Sequence, residues 1–193
     1  TANLVNAKLV GADVRGAQFR HAVMEGVDFT NADLRGVNMQ GATLIGAIFS
    51  GARLGNSNFV AANMRESKFT NTYVRHANFR AANLDYADFS NAVLDAVSFS
   101  GSSLRGVNFV GATFKNVVFL DSDMCGAVMP DHRVVACDEQ IKSGDEAVEE
   151  AVIPVKQLHP SELPKKRLND SDSEKEQFKR DSSPNDSRLM LEV

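Results

Sequence analysis

Ala32-Asp33-Leu34-Arg35-Gly36 is one unit of the repeat that decides the fold of this 193-residue chain, and Ala82-Asn83-Leu84-Asp85-Tyr86 is another. Outward from either, a large apolar residue returns at every fifth position from Leu4 to Met129, twenty-six times without an insertion. Two places before each stands a small residue, Ala in most units and Val, Ser or Thr in the others. A period of five is neither the ~3.6 of a helix nor the ~2 of a strand, so the stretch is a repeat array. Within a unit, the small and central residues alternate with polar neighbours, as on a short extended segment. Gly or Asn then follows in most units, as at Gly11, Asn31, Gly51 and Asn71, and suits a turn. So short a side cannot pair its own backbone, and its N–H and C=O groups must bond to the coils above and below.

Sorting the central residues by steps of twenty tests the length of a coil. One column reads Leu9, Phe29, Phe49, Phe69, Phe89, Phe109, Met129, and the opposite one Phe19, Met39, Phe59, Phe79, Phe99, Phe119. These columns hold ten of the eleven phenylalanines of the array, with Phe114 outside them. Stacked every ~4.8 Å, they predict two phenyl ladders facing across a core. A two-unit coil would be too small to enclose both rings, so four units make a turn. These units resemble the pentapeptide-repeat family over residues 2–129. The resemblance implies an all-β fold, a right-handed quadrilateral β-helix (β-solenoid) of about 6.5 coils, roughly 30 Å long.

The organisation follows: a solenoid over 1–129, a C-terminal cap over 130–137, and a polar, largely disordered tail over 138–193 with a short helix at 143–152. Pro130 ends the register, and Val134-Val135-Ala136 are expected to fold over the last coil. At the other end Ala2-Asn3-Leu4 is already in register, which suggests a homodimer through that end or an upstream domain. The chain starts with Thr and is expected to be a processed or excised product. In the tail, Ser171 and Ser173 each precede an acid by three residues and are candidate phosphorylation sites, a solvated linker being the plainer account. Lys165-Lys166-Arg167 with Lys179-Arg180 resembles a bipartite nuclear signal, and Leu191-Glu192-Val193 fits a PDZ groove.

The chain carries a net charge of −4, yet the array is about +1, so neither direct nucleic-acid binding nor a membrane partner is expected. No apolar run approaches the ~18 residues of a membrane span. Two cysteines are too few for a disulfide framework; the expectation is a reduced, cytoplasmic setting, with nucleus and thylakoid lumen as alternatives. A Cys125–Cys137 bridge tying down the end of the array is the competing reading. His21, His76, His132 and His159 lack partners at ligand spacing, and the glycines keep the turn period, so no catalytic residue, metal ligand or cofactor is expected.

Outward residues also form columns. One reads Arg15, Arg35, Gly55, Arg75, Asp95, Lys115, with Tyr73 and His76 on the same side. Another, Thr30, Ser50, Thr70, Ser90, is a hydroxyl stripe, and Gln18, Asn38, Asn58, Asn78 suggest stacked amides. Columns of this kind pack and hydrate well without any partner. Because Arg and Tyr are enriched at interface hot spots, Arg15, Arg35, Tyr73, Arg75, His76 and Lys115 are the candidate interaction face. The resemblance implies several unlike roles. The expectation is a non-enzymatic protein–protein interaction scaffold with a protein partner. Its alternatives are a DNA-mimicking topoisomerase- or gyrase-binding regulator and the substrate-recognition arm of a BTB-type ubiquitin-ligase adaptor.

Overall fold

The computed structural model describes residues 3–137. The helix expected at 143–152, Ser171, Ser173 and the other tail motifs lie outside the described residues. Every fifth residue from Asn6 to Gly126 has φ between 52° and 74°, so each unit ends in a corner. The amide after a corner closes the turn onto the central residue before it, as Ala7 N–H does to the Leu4 carbonyl at 3.0 Å. Positive φ at the third turn residue is the type II pattern, and Gly or Asn meets it with least strain.

Between corners the sides pair only with neighbouring coils. With one exception, each bridge joins residues twenty apart in parallel register, as in Lys8 with Asp28 and Asp28 with Ile48. Leu34 N–H donates to the Arg53 carbonyl on one side of its coil, and Asp33 N–H to the Ala12 carbonyl on the other, both at 2.9 Å. One side of the solenoid carries three full strands, β1 (Tyr73–Arg75), β2 (Val93–Asp95) and β3 (Thr113–Lys115), paired in parallel in that order. The fold is a four-sided β-solenoid.

The core is the inside of the coil. Phe49, Phe69 and Phe89 stack with ring centroids 4.7 Å and 4.4 Å apart, and Phe59, Phe79 and Phe99 do so at 4.9 Å and 5.2 Å. The two ladders meet edge to face, Phe69 against Phe79 at 5.8 Å and 90°. That pairing sets the positive ring edge against the negative face. Ser57, Ser67, Thr72 and Ser102 occupy the small position and are buried. Each hydroxyl donates to the carbonyl three residues back, so the polar group costs little there. Asn38, Asn58 and Asn78, in register one coil apart, each accept the N–H two residues on in the same coil, from Gln40, Val60 and Arg80.

The array ends in a reversal. After Pro130 the chain turns back, and Val134 pairs antiparallel with Val128. Val135 takes up Gly126 N–H on its carbonyl and gives its own N–H to Ala127, while its side chain packs against the core. The reversal brings the Cα atoms of Cys125 and Cys137 to 4.2 Å, and their sulfurs are bonded at 2.01 Å. The reduced pair expected from the sequence is thereby replaced by the competing reading, a bridge at the end of the array.

Candidate functional site

The register of the β1–β3 side builds two outward columns. Asp13, Asp33, Arg53 and Tyr73 bridge in turn, and β1–β3 continue the column as Val93 and Thr113. The second column is Arg15, Arg35, Gly55, Arg75, Asp95 and Lys115, with Arg75, Asp95 and Lys115 in direct register. Both columns point to solvent because the central residues between them (Leu34, Leu54, Val74, Leu94) point into the core. His76 sits at the corner just after β1, with φ of 53°. The six expected residues therefore share one side of the rod and form a face about 24 Å long at ~4.8 Å per coil, rather than one cluster.

The cations on this face are held in different ways. Arg15 forks onto Asp13, with Nε donating to Oδ1 at 2.8 Å and Nη2 to Oδ2 at 2.7 Å. Arg35 does the same with Asp33, at 2.8 Å and 2.6 Å. The Arg15 fork, by side-chain hydrogen bond first, holds the Asp13 carboxyl down at about 2. The Arg35 fork lowers Asp33 and is itself raised by it. Farther along, Arg75 and Lys115 share Asp95 at 3.5 Å and 3.9 Å, both longer than a hydrogen bond. Arg53 forms no ion pair among the described residues.

Sequence reasoning missed Arg53 and the carboxylates Asp13 and Asp33 as parts of this face. They stand one residue before the central position, and reading that column by steps of twenty finds them. With them counted, the side carries five cations against three carboxylates. Gly55 lies in the middle. It is the one described glycine whose φ is not positive, so the backbone there does not demand glycine. A Cβ at Gly55 would touch the Arg35 stem, 3.4 Å from Cγ and 3.8 Å from Cδ. Tyr73 and Val93 expose apolar surface beside it.

Other sides carry less of this character. Thr70 donates to Ser50 at 2.7 Å in the hydroxyl stripe, and the Arg65 guanidinium lies 5.4 Å from the Tyr86 ring on a different side. Among the described residues, no group of three His, Cys, Asp or Glu could hold a metal, and no helix is long and apolar enough to cross a membrane.

Comparison with known proteins bears on the whole array. A family model described as a pentapeptide repeat region matches residues 41–119, and one described as pentapeptide repeats (8 copies) matches 2–41. Solved structures similar to the chain include HetL of the cyanobacterium Nostoc, a pentapeptide repeat protein involved in heterocyst differentiation regulation. That similarity is 21% identity over 69% of this chain and 78% of that one, with a TM-score of 0.33. A pentapeptide repeat protein of the Arabidopsis thaliana thylakoid lumen is 25% identical over 60% and 70%, with a TM-score of 0.36. QnrB1, a plasmid-mediated fluoroquinolone resistance protein, is 19% identical over 66% and 72%, with a TM-score of 0.25. Among curated proteins, none matches the sequence.

Proposed function

The chain belongs to the pentapeptide-repeat family, and from that premise we propose that it is a non-enzymatic scaffold that docks a protein partner on the β1–β3 side. The observation that carries this reading is the composition of that side. Four arginines, one lysine and a half-exposed tyrosine share one flat, strand-paired surface, in columns that run across six coils. Flatness comes from the parallel register, and Arg and Tyr are the side chains that dominate interface energetics. The same side argues against mimicry of DNA, which calls for an acidic rod, since cations outnumber carboxylates here and the array as a whole is about +1. We place the protein in an oxidising compartment, because a bridge between Cys125 and Cys137 persists there and is reduced in the cytoplasm. The first coil, half-buried at Leu4, Leu9, Val14 and Phe19, is where a second copy would stack, which sedimentation velocity would register as a dimer.

The test is affinity capture from an extract of the source cells with the full chain and with the variant Arg35→Glu/Arg75→Glu. Partners recovered by the parent chain should be lost from the variant, whose melting temperature should change little because both side chains are exposed. An unchanged set of partners would remove this side as the interface. Inhibition of gyrase supercoiling by the purified chain would favour the DNA-mimic alternative instead.

A further inference from the structure

We propose that the Cys125–Cys137 bridge is a site of thiol–disulfide exchange with a fixed direction: a dithiol attacks Cys137, and Cys125 leaves as a thiolate beside Arg105. Breaking the bridge then releases the segment that closes the last coil. Neither statement depends on the β1–β3 side, since Cys125 follows Arg65, Asp85 and Arg105 in a column on a different side of the rod. Two observations set the direction. Cys137 is exposed whereas Cys125 is half-buried, so an incoming sulfur reaches Cys137 first. The Arg105 guanidinium lies at the other sulfur, with Nη2 3.8 Å from Cys125 Sγ, and a neighbouring cation favours a thiolate. A disulfide sulfur leaves faster when the charge it takes up is stabilised. Asp123 acts the other way. Its Oδ2 accepts from Arg105 Nη1 at 3.0 Å and its Oδ1 from Cys125 N–H at 3.1 Å, so a carboxylate stands next to the departing charge. The guanidinium spans the two, one nitrogen on the carboxylate and the other on the sulfur.

The chemistry balances as an exchange. One thiolate of the dithiol bonds to Cys137 Sγ, the Cys125–Cys137 bond breaks, and its electron pair stays on Cys125. The second thiol of the reagent loses its proton and attacks the reagent's own sulfur in the mixed disulfide, expelling Cys137. The dithiol is oxidised by two electrons to a disulfide, the bridge is reduced by two, and the dithiol's protons pass to the two cysteines. What the bridge ties down is otherwise lightly held. Val135 accepts from Gly126 N–H at 2.9 Å and donates to the Ala127 carbonyl at 2.8 Å, and Arg133 accepts from Met129 N–H at 2.7 Å. Of residues 131–137, Val135 is the one packed against the core. These carbonyls stand where a further coil would supply them: one coil earlier, Gly106 N–H donates to the Cys125 carbonyl and Phe109 N–H to the Val128 carbonyl. With the covalent tie gone, the segment lifts away and the amides of Gly126 and Met129 become an open edge.

The test uses the full oxidised chain at low ionic strength. Glutathione is added, the reaction is stopped with acid at early times, and free thiols are capped with a maleimide. Cleavage after Arg133 separates the two cysteines for mass spectrometry. The expected product carries glutathione on Cys137 and maleimide on Cys125. Reduction by dithiothreitol should be about three- to tenfold slower in Arg105→Gln and faster by about the same factor in Asp123→Asn, both differences shrinking as salt is added. Arg105→Lys should keep most of the parent rate. Both Arg105→Gln and Asp123→Asn remove the Arg105–Asp123 pair, so a bridge that merely opened more easily would be reduced faster in both. Tryptic cleavage of the native chain after Arg133 should quicken about tenfold on reduction, while cleavage after Arg65 and Arg80 stays unchanged. Glutathione on Cys125 or equally on both cysteines, or rate changes of the same sign in Arg105→Gln and Asp123→Asn, would overturn the exchange site. Unchanged cleavage after Arg133 would overturn the release of the segment.

Discussion

At the level of single residues, the corners show how strongly the register overrides local preference. His21, Ala61, Glu66, His76, Ala81, Tyr86, Ala96 and Asp121 all take positive φ although none is Gly or Asn. An L-residue in that region costs about 1–2 kcal/mol. Ala81→Gly, at φ 55°, should therefore stabilise the protein by about 0.5–1 kcal/mol after the added chain entropy of glycine. Gly101→Ala, where a Cβ meets nothing within 4 Å, should cost about 1 kcal/mol through the backbone alone. Urea denaturation of both variants checks the pair, and the same sign for both would refute it. Asp13 offers a second test. Its carboxyl is held at about 2 by Arg15, below the ordinary ~3.9, so the pairing contributes between and above these values and is lost as pH falls through 2. Carbon-detected titration should find Asp13 near 2, and Arg15→Gln should return it toward the ordinary carboxylate range.

At the level of the element, the unit of stability is the ladder rather than the strand. Each side contributes only two or three residues of pairing, and what holds successive coils is ring on ring. Phe79 is fully buried and contacts Phe59, Phe69, Phe89 and Phe99. Phe79→Ala should cost about 3–5 kcal/mol in chemical denaturation. Phe119, half-buried in the last coil, should cost less than half as much when truncated, since fewer groups close around it. Equal losses at the two sites would mean that the ladders are not the source of the stability. The ladders were legible in the sequence because like residues recur every twenty positions. The docking face was legible only in part. The Arg15, Arg35, Arg75, Lys115 column follows from the same step, and Arg53 stands in the neighbouring column with Asp13, Asp33 and Tyr73, where the same step also reaches it.

For the whole molecule, each coil touches only its neighbours, so damage at one end should stay there. The Cys125–Cys137 bridge closes a short loop at the C-terminal end, where the antiparallel segment at Val134 covers the last coil. Reduction should lower the stability of that end by about 2–3 kcal/mol. Hydrogen exchange should then quicken first at Gly126, Met129 and Val135, while amides around Phe69 to Phe89 keep their protection. Loss of protection along the whole array on reduction would show that the coils unfold as one cooperative body.

The five-residue period, the twenty-residue coil and the inward phenylalanines were determined by the sequence alone, because only one winding buries every central residue and pairs every short side. Two things were decided by tertiary structure. Ala81 and Tyr86 adopt a turn conformation that their own preferences oppose, since the coils above and below leave no other path. Cys125 meets Cys137 because the chain reverses after Pro130. The common physical reason is that stacking is non-local: each coil imposes its geometry on the next, and no single unit carries that information by itself.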